Sequence, residues 1–140
     1  RRIDWLLKQK PDLLLIELGA NDGLRGIDVQ DIETNLSAII QKAQTNKTEV
    51  MLLSMKIPAN FGEQYTNDFV AIYPRLAEKH NIPLLPFLLQ GVAGEKKYNQ
   101  ADGIHPTKEG HVIIADTMYD QLQTWRTNWK EKTITTKMAE

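Results

Sequence analysis

The chain has 140 residues, of which 41% are hydrophobic and 25% are charged, and this composition excludes a disordered or fibrous protein. Its 17 basic and 18 acidic residues give a formal net charge of −1, which argues against a nucleic-acid binder or a purely electrostatic membrane binder. The absence of cysteine excludes a disulfide framework, a thiolate nucleophile and a cysteine-based zinc site. No segment reaches the roughly 18 consecutive apolar residues that a membrane-spanning helix needs.

The predicted secondary structure alternates between helices and strands from the start of the chain. Helical spacing of apolar residues covers residues 1–10, and the apolar run Leu13–Ile16 predicts a strand that is buried on both faces. Turn-forming residues follow at Gly19–Gly23, and Asp28 is placed to cap the next helix. The buried stripe predicted for that helix consists of Ile32, Leu36, Ile39 and Ala43.

Two further strands and a helix are predicted in the middle of the chain. Val50–Leu53 predicts a second buried strand, and Pro83–Leu85 predicts a short third one. The helix between them contains Pro74, which should kink it because proline removes a backbone hydrogen bond. The apolar face of this helix consists of Tyr65, Phe69, Ile72 and Leu76, and the helical spacing of Tyr65, Phe69 and Tyr73 predicts that these aromatic residues are core.

The last third of the chain begins with a long loop. It extends from Pro86 to about Pro106, and loops of this length in a compact domain are usually functional. Thr107 is placed to cap the final helix. Residues 127–140 have little apolar periodicity, so we expect them to form a frayed tail.

This order of elements predicts the fold class. Alternating strands and helices, with strands that are buried on both faces, predict a parallel sheet in a three-layer α/β/α domain. Ligands of such sheets bind at the carboxyl ends of the strands. The loops at those ends contain Asn21, Pro58 and the stretch Asp102–His105, which we therefore expect to lie on one rim.

The stretch Asp102–Pro106 is the strongest candidate for chemistry. An aspartate three residues before a histidine can accept a hydrogen bond from one imidazole nitrogen, which leaves the other nitrogen free to act as a general base. The alternative is a helix-entry turn in which Asp102 binds only local backbone amides.

Other residues in these loops also have two interpretations. The amide of Asn21 could donate to a developing oxyanion, or Asn21 could be an ordinary turn residue. His111 could join Asp102 and His105 in the metal site of a metal-dependent hydrolase, and His80 is expected to interact with the last carbonyls of its helix. Three residues after the second strand are either loop packing or one wall of an apolar substrate cleft: Met55, Ile57 and Pro58.

Taken together, these motifs resemble a known family. Leu18–Gly26 resembles the third sequence block of the SGNH (GDSL) hydrolases, and Asp102–Pro106 resembles their fifth block. The resemblance extends from about Arg1 to Leu122. Three intervening stretches are similar to the bacterial multifunctional acyl-CoA thioesterase I, lysophospholipase and arylesterase subgroup: Ile57–Gly62, Ile72–Leu76 and Ile82–Phe87.

The resemblance implies a flavodoxin-like α/β/α fold and a Ser–His–Asp triad that hydrolyses acyl esters, acyl thioesters or lysophospholipids without a metal or other cofactor. It implies that His105 is the base that activates the serine, that Asp102 orients His105, and that Asn21 is a donor of the oxyanion hole. It also implies that the loop Gly23–Asp28 moves over the acyl chain. The implied substrate-binding residues are Gly23, Leu24, Met55, Ile57 and Pro58.

The chain departs from the family pattern at the nucleophile. It lacks a Gly-Asp-Ser block, and its two serines are Ser37, within a predicted helix, and Ser54, at a strand end. In the sheet order 2-1-3-4-5 the family's first strand would pair with the strand of Leu13–Leu18, which would otherwise be an exposed edge. We therefore expect residues 1–126 to be the C-terminal part of one domain, whose nucleophile lies in an N-terminal segment outside this chain.

These expectations define two competing functions. The first is an ester and thioester hydrolase that is active, and monomeric, only as the complete domain, with a periplasmic or secreted location implied by the resemblance alone. The second is a catalytically incomplete fragment that binds acyl ligands or a partner through the exposed strand edge. Neither function involves nucleic acid or an integral membrane segment.

Overall fold

The computed structural model describes residues 2–138, with side chains described through residue 127. The chain forms two compact units, residues 1–87 and 88–140. The first unit contains α1 (Ile3–Leu7), β1 (Leu13–Ile16), α2 (Ala20–Leu24), α3 (Val29–Thr45), β2 (Glu49–Leu53), a 3-10 turn (Ala59–Phe61), α4 (Glu63–His80) and β3 (Leu84–Leu85). The second unit contains a long loop and α5 (Lys108–Met138).

The three strands form a parallel sheet in the order β1-β2-β3. Leu14 of β1 lies beside Val50, and Leu52 of β2 lies beside Leu84. Within the described residues, β1 and β3 each have one strand neighbour, so both are edge strands. Helices pack on this sheet, and the predicted α/β class with a parallel sheet is confirmed.

The core of the first unit lies between the sheet and helices α3 and α4, which also pack against each other. The buried stripe of α3 includes Ile40, which is completely buried, whereas the predicted Ile39 is only partly buried. One residue corresponds to about 100° around a helix, so Ile39 lies at the side of the stripe. The largest fully buried side chains of this core are Tyr73, Phe69, Ile32, Ile40, Leu52, Ile72 and Leu76.

Several element boundaries differ from the sequence predictions. The first helix covers Ile3–Leu7 rather than residues 1–10, because Lys10 adopts a φ of 51° and ends the helical turn; Arg1 lies outside the described residues. Residues Gly19–Gly23 are not an open turn, since most of them form α2. Helix α4 continues through Pro74, and the predicted kink there stays a prediction.

The long loop of the second unit is organised by a buried asparagine. The Asn99 amide donates to the carbonyl of Val92 (2.6 Å) and to the carbonyl of Glu95 (2.9 Å). Asn99 also forms an isolated antiparallel bridge with Pro106, which brings the two ends of this turn together. The loop is therefore a series of fixed turns.

Helix α5 begins as predicted, because the Thr107 hydroxyl accepts a hydrogen bond from the Gly110 amide at 3.2 Å. The helix then continues to Met138, past the residue at which we expected a tail to begin. The side chains of residues 128–140 lie outside the described part of the chain, so the division at residue 126 stays a prediction. Among the helices that the structure describes, we find none with both the length and the apolar composition of a membrane span.

Candidate functional site

The side chains of Asp102 and His105 are in direct contact in the second unit. His105 Nδ1 lies 2.7 Å from Asp102 Oδ2. A carboxylate can only accept hydrogen bonds, so Nδ1 carries the proton and Nε2 is the basic nitrogen of the ring. Both side chains are well exposed, at 66% for His105 and 45% for Asp102. The pair therefore has the tautomer that a general base requires.

The second oxygen of Asp102 fixes the turn that carries the histidine. Oδ1 accepts hydrogen bonds from the backbone amides of Ile104 and His105, each at 3.0 Å. Gly103 adopts a φ of 74°, a conformation that glycine reaches without steric cost. Both interpretations of Asp102 from the sequence therefore apply at once, because one carboxylate oxygen accepts the local backbone amides and the other accepts the imidazole N–H.

The same contacts explain the acidity of Asp102. The backbone amides of His105 and Ile104, followed by the His105 ring, lower the pKa of Asp102 to about 2. Hydrogen bonds from N–H groups stabilise the ionised carboxylate, so the group stays charged across the working range of most enzymes. A permanent negative charge beside His105 would stabilise an imidazolium formed during a reaction.

His111 does not complete a metal site. It lies in the first turns of α5, and its backbone amide donates to the Thr107 carbonyl at 2.9 Å. Among the described residues, no three histidine or carboxylate side chains converge as metal ligands would. The metal-dependent alternative built on Asp102, His105 and His111 therefore has no supporting geometry in the described part of the chain.

Asn21 lies in α2, directly after β1 and at the carboxyl end of that strand. Its side chain is exposed, as a donor to a ligand must be. Helix α2 is preceded by Gly19, whose φ of 104° is left-handed and whose absent Cβ leaves room for the Tyr73 hydroxyl. That hydroxyl donates to the carbonyl of Leu18 at 3.0 Å. Tyr73, which we predicted only as core, thus anchors the turn that carries Asn21.

A second tyrosine holds the segment after α2. The Tyr65 hydroxyl donates to the carbonyl of Ile27 at 2.7 Å, with Gly23 O a longer acceptor at 3.3 Å. Gly23 is buried against Phe69, and a side chain there would overlap the phenylalanine ring. Leu24, in contrast, is 39% exposed. Of the two residues of the loop Gly23–Asp28 that the resemblance assigns to substrate binding, Leu24 is thus the exposed one, and its role in binding stays a prediction.

The residues after β2 are divided between core and surface. Met55 and Ile57 are buried members of the main core, whereas Pro58 is exposed. Packing is thus what the structure shows for Met55 and Ile57, and their role as a wall for an acyl chain stays a prediction. Asn21 and Pro58 lie in the first unit and His105 in the second, so a common rim for all of them also stays a prediction.

Ser37 is part of a polar cluster between α3 and α4. Lys79 Nζ donates to Ser37 Oγ at 3.2 Å, and Ser37 Oγ lies at hydrogen-bond distance, 2.7 Å, from His80 Nε2. Partial burial, followed by the charge of Lys79, lowers the pKa of His80, which favours the neutral ring beside Ser37. The expectation that the His80 ring binds helix carbonyls was wrong, because the ring reaches across to the neighbouring helix instead.

Comparison with known sequences identifies relatives of this chain. The model of the GDSL-like lipase/acylhydrolase family matches residues 1–113. The chain is 44% identical over 123 residues to the thioesterase 1/protease 1/lysophospholipase L1 of Escherichia coli K12. That match includes 87% of this chain and 59% of the relative, so the chain spans about three fifths of the relative's length.

Solved structures with the same fold are enzymes as well. The psychrotrophic esterase EstA from Pseudoalteromonas sp., inhibited by monoethylphosphonate, is 39% identical with a TM-score of 0.87. The match includes 91% of this chain and 70% of EstA. The SGNH-hydrolase family esterase AlinE4 is 36% identical with a TM-score of 0.68, over 88% of this chain and 67% of AlinE4. The SGNH hydrolase fold inferred from the motifs is therefore confirmed.

Proposed function

The chain belongs to the GDSL-like lipase/acylhydrolase family, and we propose that it supplies the base, the orienting acid and one oxyanion donor of a serine hydrolase that cleaves esters and thioesters. The observation that carries this proposal is the 2.7 Å contact between His105 Nδ1 and Asp102 Oδ2. In this reading residues 1–126 are the C-terminal part of one catalytic domain. The nucleophilic serine belongs to a segment that this chain does not contain.

The proposed reaction follows the chemistry of a Ser–His–Asp triad. The serine oxygen attacks the acyl carbonyl while His105 Nε2 takes the serine proton, and Asp102 stabilises the resulting imidazolium. The imidazolium then returns the proton to the leaving alcohol or thiol, which gives an acyl-enzyme. Water attacks this intermediate with His105 again as the base. The Asn21 amide donates to the oxyanion in both steps.

The positions of the two serines in this chain support the proposal that the nucleophilic serine lies outside it. Ser37 is held by Lys79 and His80 between two helices of the first unit, and His80 rather than His105 is its imidazole partner. Ser54 directly follows β2, where its amide donates to the Leu85 carbonyl at 3.1 Å. Neither position has the Gly-Asp-Ser context that the resemblance requires.

The names of the relatives suggest the substrate class. The Escherichia coli relative is named for thioester and lysophospholipid substrates, and EstA and AlinE4 are named as esterases. We therefore propose acyl esters, acyl thioesters and lysophospholipids as substrates of the complete domain. The exposed Leu24 and Pro58 would contact the acyl chain, while the buried Gly23, Met55 and Ile57 would form the layer beneath it.

The alternative is a binding module without catalysis. It is favoured by the edge of β1, which has no strand neighbour among the described residues; Leu15 in this strand and Leu18 shortly after it are 39% and 52% exposed. An open edge strand with apolar neighbours can accept a strand from a partner. A hydrolysis assay separates this alternative from the enzyme.

The test of the proposed function uses a hybrid of this chain with the part of EstA that the match leaves uncovered. We expect the hybrid to hydrolyse p-nitrophenyl esters and His105→Ala to lower kcat roughly a hundredfold to ten-thousandfold, because the general base is lost. His111→Ala is the matched control and should leave kcat unchanged. A hybrid that folds but is equally slow with and without His105 would contradict the proposal.

The location and oligomeric state are also proposals, and both rest on the family resemblance. We propose that the complete protein is periplasmic or secreted and that it is monomeric. Cell fractionation and sedimentation of the complete protein test these two statements. Recovery in the cytoplasmic fraction would contradict the first, and a stable dimer would contradict the second.

A further inference from the structure

Helix α2 is too short to hold its own position. It contains five residues, Ala20–Leu24, and an isolated helix of this length is unstable in water. The exposed Asn21 amide on this helix has no hydrogen-bond partner among the described residues. The position of the amide therefore depends on the contacts that anchor the backbone before and after α2.

Two hydroxyl groups of α4 anchor the backbone on these two sides. Before α2, the Tyr73 hydroxyl donates to Leu18 O at 3.0 Å. After α2, the Tyr65 hydroxyl donates to Ile27 O at 2.7 Å, with Gly23 O at 3.3 Å. No backbone amide of the described residues donates to Leu18 O or Ile27 O, so the tyrosines supply these hydrogen bonds. Burial raises the pKa of both hydroxyls, which therefore stay protonated and can donate.

The Tyr73 contact is fixed by the core. Tyr73 is completely buried, and its ring packs edge-to-face on Phe69 with the ring centroids 5.7 Å apart. The backbone of Gly19 fits around the hydroxyl, because a Cβ at this position would lie 2.6 Å from the Tyr73 oxygen. The turn that leads to Asn21 is therefore held against a rigid point of the core.

The Tyr65 contact holds a segment with apolar side chains on the surface. Leu24 and Ile27 are 39% and 40% exposed, and this segment follows the carboxyl end of β1. Ligands of parallel sheets bind at that end of the strands. The two tyrosines therefore hold different parts of one region, since Tyr73 holds the turn before Asn21 and Tyr65 holds the apolar segment after it.

We propose that Tyr73 and Tyr65 are positioning residues with separate roles: Tyr73 positions the Asn21 amide toward the oxyanion, and Tyr65 positions Leu24 against the acyl chain. This inference rests on the proposed function, because it requires Asn21 to be an oxyanion donor. A misplaced donor stabilises the transition state less in both acylation and deacylation, which lowers kcat. A displaced apolar side chain binds the acyl chain less tightly, which raises KM.

The kinetic test compares two tyrosine variants of the EstA hybrid on p-nitrophenyl acetate and p-nitrophenyl decanoate. Tyr73→Phe keeps the buried ring, and we expect it to lower kcat roughly tenfold to a hundredfold for both esters without changing KM. Tyr65→Phe should raise KM for the decanoate roughly fivefold to tenfold, because an apolar contact is weakened. It should leave kcat, and KM for the acetate, unchanged.

A double variant tests whether Tyr73 acts through Asn21. In the Asn21→Ala hybrid, Tyr73→Phe should change kcat less than about twofold, because the side chain that it positions is absent. Tyr119→Phe is the matched control, since it removes the hydroxyl of a tyrosine that is 61% exposed. This control should leave kcat and KM unchanged for both esters.

Backbone ¹⁵N relaxation of the 140-residue chain measures the positioning without catalysis. The order parameter of Asn21 should fall in Tyr73→Phe but not in Tyr65→Phe, and that of Leu24 should fall in Tyr65→Phe but not in Tyr73→Phe. If these changes occur but the hybrid shows no activity that depends on His105, the positioning is supported and the proposed function is contradicted.

Three results would overturn the inference. The first is an unchanged kcat for Tyr73→Phe in a hybrid whose activity depends on His105. The second is a loss of kcat by the same factor with and without the Asn21 side chain. The third is a pair of variants that change the order parameters of Asn21 and Leu24 equally.

Discussion

Asp102 combines two structural roles in one carboxylate. Its Oδ1 accepts the amides of the turn, and its Oδ2 accepts the Nδ1–H of His105. The turn amides hold the carboxylate while the carboxylate holds the ring, so the orientation of His105 depends on local contacts only. This explains how a pair that is largely exposed to solvent can be fixed.

The pKa of Asp102 is the first testable consequence. The lowered pKa of about 2 means that the folded carboxylate releases its proton more readily than an unfolded one, whose pKa is about 3.9. Its contribution to stability is therefore present above pH 4 and is lost as the pH falls from about 4 through 2. Carboxyl ¹³C NMR titration should give a midpoint near 2 for Asp102.

His105→Ala separates the causes of this shift. The backbone amides rank before the imidazole ring among the causes, so the variant should recover only a part of the shift in the pKa of Asp102. A midpoint near 3.9 in the unmodified chain would contradict the hydrogen bonding described for this turn.

Sequence reasoning identified the contact between Asp102 and His105 but not the residues that support the rest of the candidate site. Asp102 and His105 were found because the spacing of three residues is itself the signal for the contact. Tyr65 and Tyr73 were predicted as core because helical spacing shows burial but not the destination of a hydroxyl. Their bonds to Ile27 and Leu18 join residues 38 and 55 positions apart, which no local pattern records.

At the scale of elements, Asn99 sets the conformation of the loop before α5. Its side chain is buried and donates to the carbonyls of Val92 and Glu95, so truncation would remove two hydrogen bonds, although backbone amides would still bind both carbonyls. We expect Asn99→Ala to lower the free energy of unfolding by roughly 1–3 kcal/mol. Urea denaturation followed by circular dichroism measures this loss.

Gln100→Ala is the matched control for this substitution. The Gln100 side chain also donates to a carbonyl, that of Pro106 at 3.0 Å, but it is exposed, and water can replace it. If the two variants were equally stable, the organising role of Asn99 would be wrong.

The contact between α3 and α4 should depend on pH through His80. Burial lowers the pKa of His80 in the folded chain, so the fold favours the neutral ring that shares a hydrogen bond with the Ser37 hydroxyl. This contribution is present above the unfolded pKa of about 6.5 and is lost as the pH falls through the lower folded value. We expect the urea midpoint to decrease more between pH 7.5 and 5.5 in the unmodified chain than in His80→Phe, and an equal decrease would contradict this explanation.

The element order was predictable, and the exact boundaries were not. Continuous apolar runs gave β1 and β2, and the caps of α3 and α5 were visible as Asp28 and Thr107. The end of α1 was missed because Lys10 adopts a conformation that lysine rarely has. Helix α2 was missed because glycine and asparagine favour turns in any sequence. The packing of Tyr73 against Gly19, which no local pattern shows, accompanies the helix in the structure.

At the scale of the whole molecule, the described part of the chain contains three parallel strands, and the chain spans about three fifths of the length of its Escherichia coli relative. β1 is an edge strand with exposed leucines beside it, and an additional strand would cover this edge. The proposed activity requires both that strand and a serine, and the same added segment would supply them. Completion of the sheet and gain of activity should therefore occur together.

Covalent labelling of the EstA hybrid tests this account most directly. The hybrid is treated with a monoethylphosphonate ester, the class of inhibitor bound to EstA, and the labelled residue is identified by mass spectrometry. We predict one adduct, on a serine of the added segment, that forms roughly a hundredfold to ten-thousandfold more slowly in His105→Ala. An adduct on Ser37 or Ser54, or a labelling rate that is independent of His105, would contradict the account.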